Sequence, residues 1–113
     1  MSKTETARVP TARIDIYMAG DIEQAKQVCR EFCMGTGFCV HIEPVEYIYT
    51  GGEERGFKVG LINYPRFPMG STVIGMEKAS RLAELLRERC CQWSYSIVGP
   101  EETLWVSYRP EAA

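Results

Sequence analysis

From Arg13 to Met18 apolar and polar side chains alternate, with Ile14, Ile16 and Met18 in one phase. A period of two is the pattern of a half-buried strand. Ala19-Gly20 ends it, and Asp21 stands where a helix N-cap belongs, with Gln24 three residues on to complete a capping box. Ile22, Ala25, Cys29, Phe32 and Cys33 then recur at helical spacing, and Gly35 and Gly37 stop the helix. Phe38 to Tyr49 is a β-rich run in which Phe38, Val40 and Ile42 keep one phase and Val45, Tyr47 and Tyr49 the other. Pro44 at the change predicts a bulge or an edge position, because proline cannot donate to a ladder. Residues 50–56 predict a turn or short loop, Phe57–Tyr64 a strand, and Pro65–Gly70 an irregular connection. Met76, Ala79, Ala83, Leu86 and Cys90 predict a second helix from Ser71 or Thr72 to near Cys91. Trp93, Tyr95 and Ile97, then Leu104, Val106 and Tyr108, alternate as two closing strands around a turn at 99–103.

The order β-α-β-β-α-β-β predicts an α+β fold: a mostly antiparallel sheet with two helices on one face. Residues 1–12 read as a flexible N-terminal arm, 13–109 as a single domain and 110–113 as a tail. Aromatic side chains left on the other sheet face would favour a homo-oligomer.

The chain has 113 residues, 45% hydrophobic and 25% charged. That is ordinary globular usage with enough apolar surface for one core, which excludes intrinsic disorder. No apolar run approaches the ~20 residues that span a bilayer, and the first residues lack an apolar signal core. The expectation is a cytoplasmic protein with no membrane partner. A net charge of −2 and a pI near 5.5 argue against sequence-independent DNA or RNA binding. Five cysteines, an odd number without an export signal, predict free thiols. Cys29 and Cys33 share a helix face and read as small core residues rather than a metal or redox pair. Cys90-Cys91 reads as core plus a neighbour.

Candidate chemistry begins with absences. There is no Gly-x-Ser-x-Gly, Walker loop, dinucleotide fingerprint or zinc spacing, so neither a metal nor a cofactor is called for. His41 follows Cys39 on one strand face, but a half-buried polar strand residue is the ordinary reading against a Cys–His dyad. Glu53-Glu54 and Glu101-Glu102 read as solvated turn acids, while Glu43 and Glu46 flank Pro44 and could point inward. This gives little support for an enzyme. The segments on either side of the Phe57–Tyr64 strand stand out instead: Tyr47 to Gly56, and Asn63 to Pro68. Aromatic rings stack on bases, arginines pair with phosphate, asparagine reads a base edge or ribose hydroxyl, and glycines let backbone amides approach an anion. Arginine outnumbers lysine nine to four, which fits anion recognition. The opposing reading is a Gly-Gly hairpin turn plus a proline-rich connection whose aromatics cap the core. The strand holds the two segments at opposite ends, unless a neighbouring subunit joins them.

Ile16-Tyr17-Met18-Ala19-Gly20, Tyr47-Ile48-Tyr49-Thr50-Gly51-Gly52-Glu53-Glu54 and Gly60-Leu61-Ile62-Asn63-Tyr64-Pro65-Arg66-Phe67-Pro68, with Ala25-Lys26-Gln27 between, resemble the phage Thoeris anti-defence sponge proteins. The resemblance spans residues 14–109. It implies a protein that binds and sequesters cyclic ADP-ribose isomers made by TIR-domain enzymes, with cyclic oligonucleotides at separate sites in some members. It also implies no cleavage, and pockets shared across the subunits of a homo-oligomer in the infected cell's cytoplasm. Combined with the residue chemistry, it places Arg55 and Arg66 on phosphates, Tyr64 or Phe67 on adenine, and Asn63 on ribose or base. Tyr49, Gly51, Gly52 and Arg109 complete the candidate ligand set, and no residue is expected to be catalytic. Ile16-Tyr17-Met18-Ala19-Gly20 also looks like the opening of nucleoside 2-deoxyribosyltransferases, which implies a parallel sheet with Asp15 and Glu53 or Glu54 as acids. A third alternative is a protein-binding inhibitor of a host factor.

Overall fold

A computed structural model describes residues 3–110; Met1 and Ser2 of the arm and residues 111–113 of the tail lie outside the described residues. The strands are β1 (Arg13–Ala19), β2 (His41–Tyr49), β3 (Gly52–Ile62), β4 (Ser94–Val98) and β5 (Thr103–Ser107). The helices are α1 (Ile22–Thr36) and α2 (Thr72–Arg89). The strands form one sheet in the order β2-β3-β1-β4-β5, and each neighbouring pair is antiparallel. This is the α+β architecture that the alternation predicts. An all-antiparallel sheet does not match the parallel sheet of the deoxyribosyltransferase alternative.

The core lies between the sheet and the helices. Ile14, Ile16 and Met18 of β1 stand opposite Leu61, Val59 and Phe57 of β3, and all six are essentially buried. Tyr95 and Ile97 of β4 extend the layer toward β5. Ala25, Val28 and Phe32 of α1, with Ala79, Leu82, Ala83 and Leu86 of α2, close it from above. Each fully buried aliphatic side chain contributes roughly 1.5–3 kcal/mol relative to exposure, so this layer dominates the stability.

Both helices begin where the polar residues predict. Asp21 accepts from the Glu23 N–H at 3.1 Å, and Ser71 accepts from Ile74 N–H at 3.2 Å. Helix α1 runs through Gly35 and ends at Gly37, whose left-handed backbone (φ 67°) lets its N–H reach Cys33 O. Without a Cβ, glycine takes that conformation at no steric cost.

Three boundaries differ from the sequence reading. β2 starts at His41 rather than Phe38, because Phe38 leaves the strand to fill the core. Residues 52–55, read as loop, are the first part of β3, so the hairpin turns only at Thr50-Gly51. β3 ends at Ile62, and Tyr64 instead closes a turn in which Phe67 N–H donates to Tyr64 O. Pro44 produces no bulge: β2 and β3 stay in unbroken register from His41↔Gly60 to Tyr49↔Gly52. β2 is the sheet edge, where a missing N–H costs no ladder bond.

Candidate functional site

Strict alternation sends the residues between the core positions to the helix-free face. On β1 these are Asp15 and Tyr17, opposite Gly60 and Lys58 of β3. On β2 they are His41 and Glu43, opposite the same two positions. β4 and β5 add Ser96 and Trp105 in the Lys58 row. The middle of this face is therefore a band of ionisable and aromatic groups, not an apolar sheet face.

Two glycines shape it. A Cβ on Gly60 would lie 2.1 Å from His41 Nε2, and one on Gly56 would lie 2.2 Å from Met18 O and 2.8 Å from the Tyr47 ring. His41 and Tyr47 thus lean across β3 into the spaces those glycines leave. The His41 ring meets the Tyr64 hydroxyl, with 3.4 Å between Nδ1 and oxygen. The Tyr47 hydroxyl donates to Phe57 O at 2.8 Å, and burial pushes its pKa up to about 12. Lys58 stands between the two glycines and holds Glu43 Oε1 at 2.6 Å. The hydrogen bond that Lys58 donates to Glu43, supported by the charge of Asp15, raises the Lys58 pKa, and Lys58 in turn lowers that of Glu43.

Asp15 is the unusual group. It is only 7% exposed, the one buried charged residue of the described chain. Its Oδ2 accepts from Arg13 Nε at 3.3 Å, while its Oδ1 is buried and accepts nothing from the described residues. Buried acceptors are nearly always satisfied, and leaving one empty costs about 1–3 kcal/mol. Asp15 shares its sheet row with Gly60 and His41 of the polar band, which makes this empty acceptor a candidate for a donor supplied by a ligand.

The sequence-chosen residues fall in two groups. Tyr49, Gly51, Gly52 and Arg55 form the β2–β3 hairpin tip, and the charge of Arg109 acts on Tyr49 from the same end. Tyr49 donates to Glu54 Oε1 at 2.9 Å. Asn63, Tyr64, Arg66 and Phe67 lie past the opposite end of β3. The chain does not bring the two groups together. Asn63 spends both ends of its amide on backbone, donating to Pro10 O and accepting from Met69 N–H, each at 2.9 Å. Arg66 lies over the Phe67 ring, 5.9 Å from its centroid, and Phe67 packs against the core. Sequence reasoning missed Lys58 and Tyr17 and gave Asp15 a role only in an alternative. The available signal was an aspartate between two isoleucines in the most apolar strand.

No described group of His, Cys, Asp and Glu is placed to hold a metal ion, and no helix is long and apolar enough to cross a membrane. No protein-family model and no curated protein sequence matches the chain. Two solved structures do. One is a phage SAM lyase in its apo state, with a TM-score of 0.67 and 15% identity over 97% of this chain and 100% of that chain. The other is a phage SAM lyase in complex with S-methyl-5′-thioadenosine, with a TM-score of 0.65 and 14% identity over 94% of this chain and 96% of that chain. At this identity the likeness establishes a shared fold. Both matched structures are of phage SAM lyases, which are enzymes, and this finding runs against the expectation of a protein without catalytic residues.

Proposed function

We propose that this chain is a lyase acting on S-adenosylmethionine, with its site on the helix-free sheet face. The observation that carries the proposal is the buried, unpartnered Asp15 Oδ1 amid Lys58, Glu43, His41 and Tyr17. The fold shared with SAM lyases supports the ligand class. This ligand carries an ammonium, a carboxylate, a sulfonium and an adenosyl group. Asp15 accepts from the ammonium, and Lys58, steadied by Glu43, takes the carboxylate. Trp105 and Tyr17 offer faces for adenine.

Breaking the bond between sulfur and the aminobutyryl carbon leaves both electrons on sulfur and releases neutral S-methyl-5′-thioadenosine. No water enters a lyase step, so that carbon takes electrons from the substrate's own carboxylate, or the fragment loses a neighbouring proton. The sulfonium loses its charge in the transition state, so a carboxylate fixed on it would favour the ground state. Asp15 is therefore assigned to the ammonium. Removal of a methyl donor suits a phage anti-defence protein. In this proposal the cyclic nucleotide expected from sequence gives way to an adenosyl ligand. The hairpin-tip and Asn63–Phe67 groups contribute only where a second copy, in a homo-oligomer, reaches over the face.

The test is incubation with S-adenosylmethionine and chromatography of the products. Release of S-methyl-5′-thioadenosine is expected, with Asp15→Asn and Lys58→Met each lowering kcat/KM about 10- to 100-fold, the equivalent of one charge-assisted hydrogen bond. A folded protein that releases none overturns the proposal. Heat of binding for a cyclic ADP-ribose isomer, with no turnover of either compound, would return the ligand to that class.

A further inference from the structure

Away from the sheet face, α1 and the segment leading into β2 enclose a cleft lined by Cys29, Cys33 and Cys39 together with Lys26 and Arg30. Cys29 and Cys33 are one helical turn apart, but Cys39 arrives by a different route. Gly37 reverses the chain, and residues 38–40 return beside the end of α1. Burial pushes the Cys33 thiol up, an effect partly offset by the Val40 N–H. Cys33 and Cys39 thus line the same cleft from two different segments of the chain. Both are partly exposed, whereas Cys29 is buried and its thiol is pushed up to about 12 by that burial.

We propose that Cys33 and Cys39 are a modification site for two-electron oxidants of the peroxide class, and that they close to a disulfide. The Cys39 thiolate attacks one peroxide oxygen; the O–O bond breaks, giving a sulfenic acid and, with a proton, water. Cys33 then attacks the Cys39 sulfur, and the sulfenic oxygen leaves as a second water. Two thiols and one hydrogen peroxide become one disulfide and two waters. Lys26 and Arg30 line the same cleft. The competing pairs are less suited. Cys29 and Cys33 project side by side from one helix, and Cys90 and Cys91 are adjacent residues, whereas a disulfide needs Cβ vectors that converge. Cys39 precedes His41 by two residues, so the crosslink would tie the end of α1 to the start of the strand that carries His41.

The experiment treats the folded chain with hydrogen peroxide, blocks remaining thiols with N-ethylmaleimide under denaturing conditions, and reads intact mass and linked peptides. The expected result is a loss of two hydrogens, three alkylated cysteines and a Cys33–Cys39 linked peptide. Cys33→Ser should instead trap a sulfenic acid on Cys39 that reacts with dimedone, and Cys33→Ala should do the same if serine disturbs packing. A different linked pair, no linkage, or a linkage that persists in Cys39→Ser overturns the assignment.

Discussion

Replacing Asp15 by valine should make the protein more stable and less active. Valine is apolar and β-branched and suits a central strand. It removes the buried Oδ1 that accepts no hydrogen bond, a relief of about 1–3 kcal/mol. It also removes the Arg13 contact, but the Arg13 side chain is 62% exposed, and such pairs contribute about 0.2–1 kcal/mol. The balance favours the variant by about 1–2 kcal/mol. At about 4–8 °C per kcal/mol for a domain near this size, Tm should rise by roughly 5–15 °C. Thermal unfolding by circular dichroism and chemical denaturation measure the stability, and release of S-methyl-5′-thioadenosine measures the activity. A gain in stability with a loss of activity is the signature of a group kept at structural cost for function. If the variant were destabilised by more than about 1 kcal/mol, Asp15 would be a structural partner of Arg13 and Lys58, and the reasoning would fail.

The remaining predictions use the same face, the Glu84 cluster and the segment that follows β3. Gly60→Ala pushes its Cβ into the His41 ring and should cost about 1–3 kcal/mol; in a His41→Ala background the cost should vanish, a double-mutant cycle followed by urea denaturation. Gly56→Ala meets the backbone at Met18 O, so it should be the worse of the two and find no rescue in Tyr47→Ala. Trp105 is 62% exposed in the Lys58 row, so S-methyl-5′-thioadenosine should quench its fluorescence, and Trp105→Phe should abolish that signal. Burial pushes the Glu84 carboxyl up, but hydrogen bonds from Tyr95, Tyr108 and Arg87 outweigh it and leave the pKa below the usual value. A depressed folded pKa contributes stability above the unfolded value, lost as pH falls through the folded one. Glu84→Gln should therefore flatten the acid limb below about pH 4.5 in a Tm-versus-pH series. Arg66→Ala should weaken ligand binding by about 1.5–3 kcal/mol if a copy brings it to a phosphate or carboxylate; unchanged calorimetry would remove it from the site.

Hydrophobic period alone fixed most of the architecture. Ile14-x-Ile16-x-Met18 could only be a strand with one face inward, and the Asp21 and Ser71 caps marked helices whose apolar stripes had to land on that face. These are local properties, written at spacings of two and three to four residues. The boundaries that sequence misplaced depend on contacts outside their own segments. Phe38 leaves β2 because the core has room for it, and residues 52–55 become strand because β2 supplies a partner. The candidate site was the least legible part, for the same reason. Asp15, Lys58, Glu43 and His41 come from three strands, and their meeting depends on sheet order β2-β3-β1 and on register. Asn63 looked like a ligand-reading side chain, and the tertiary structure occupies it with Pro10 and Met69. Sequence determined which side chains each element turns toward the core and which away from it; only the pairing of distant strands decided which of the outward ones share a site.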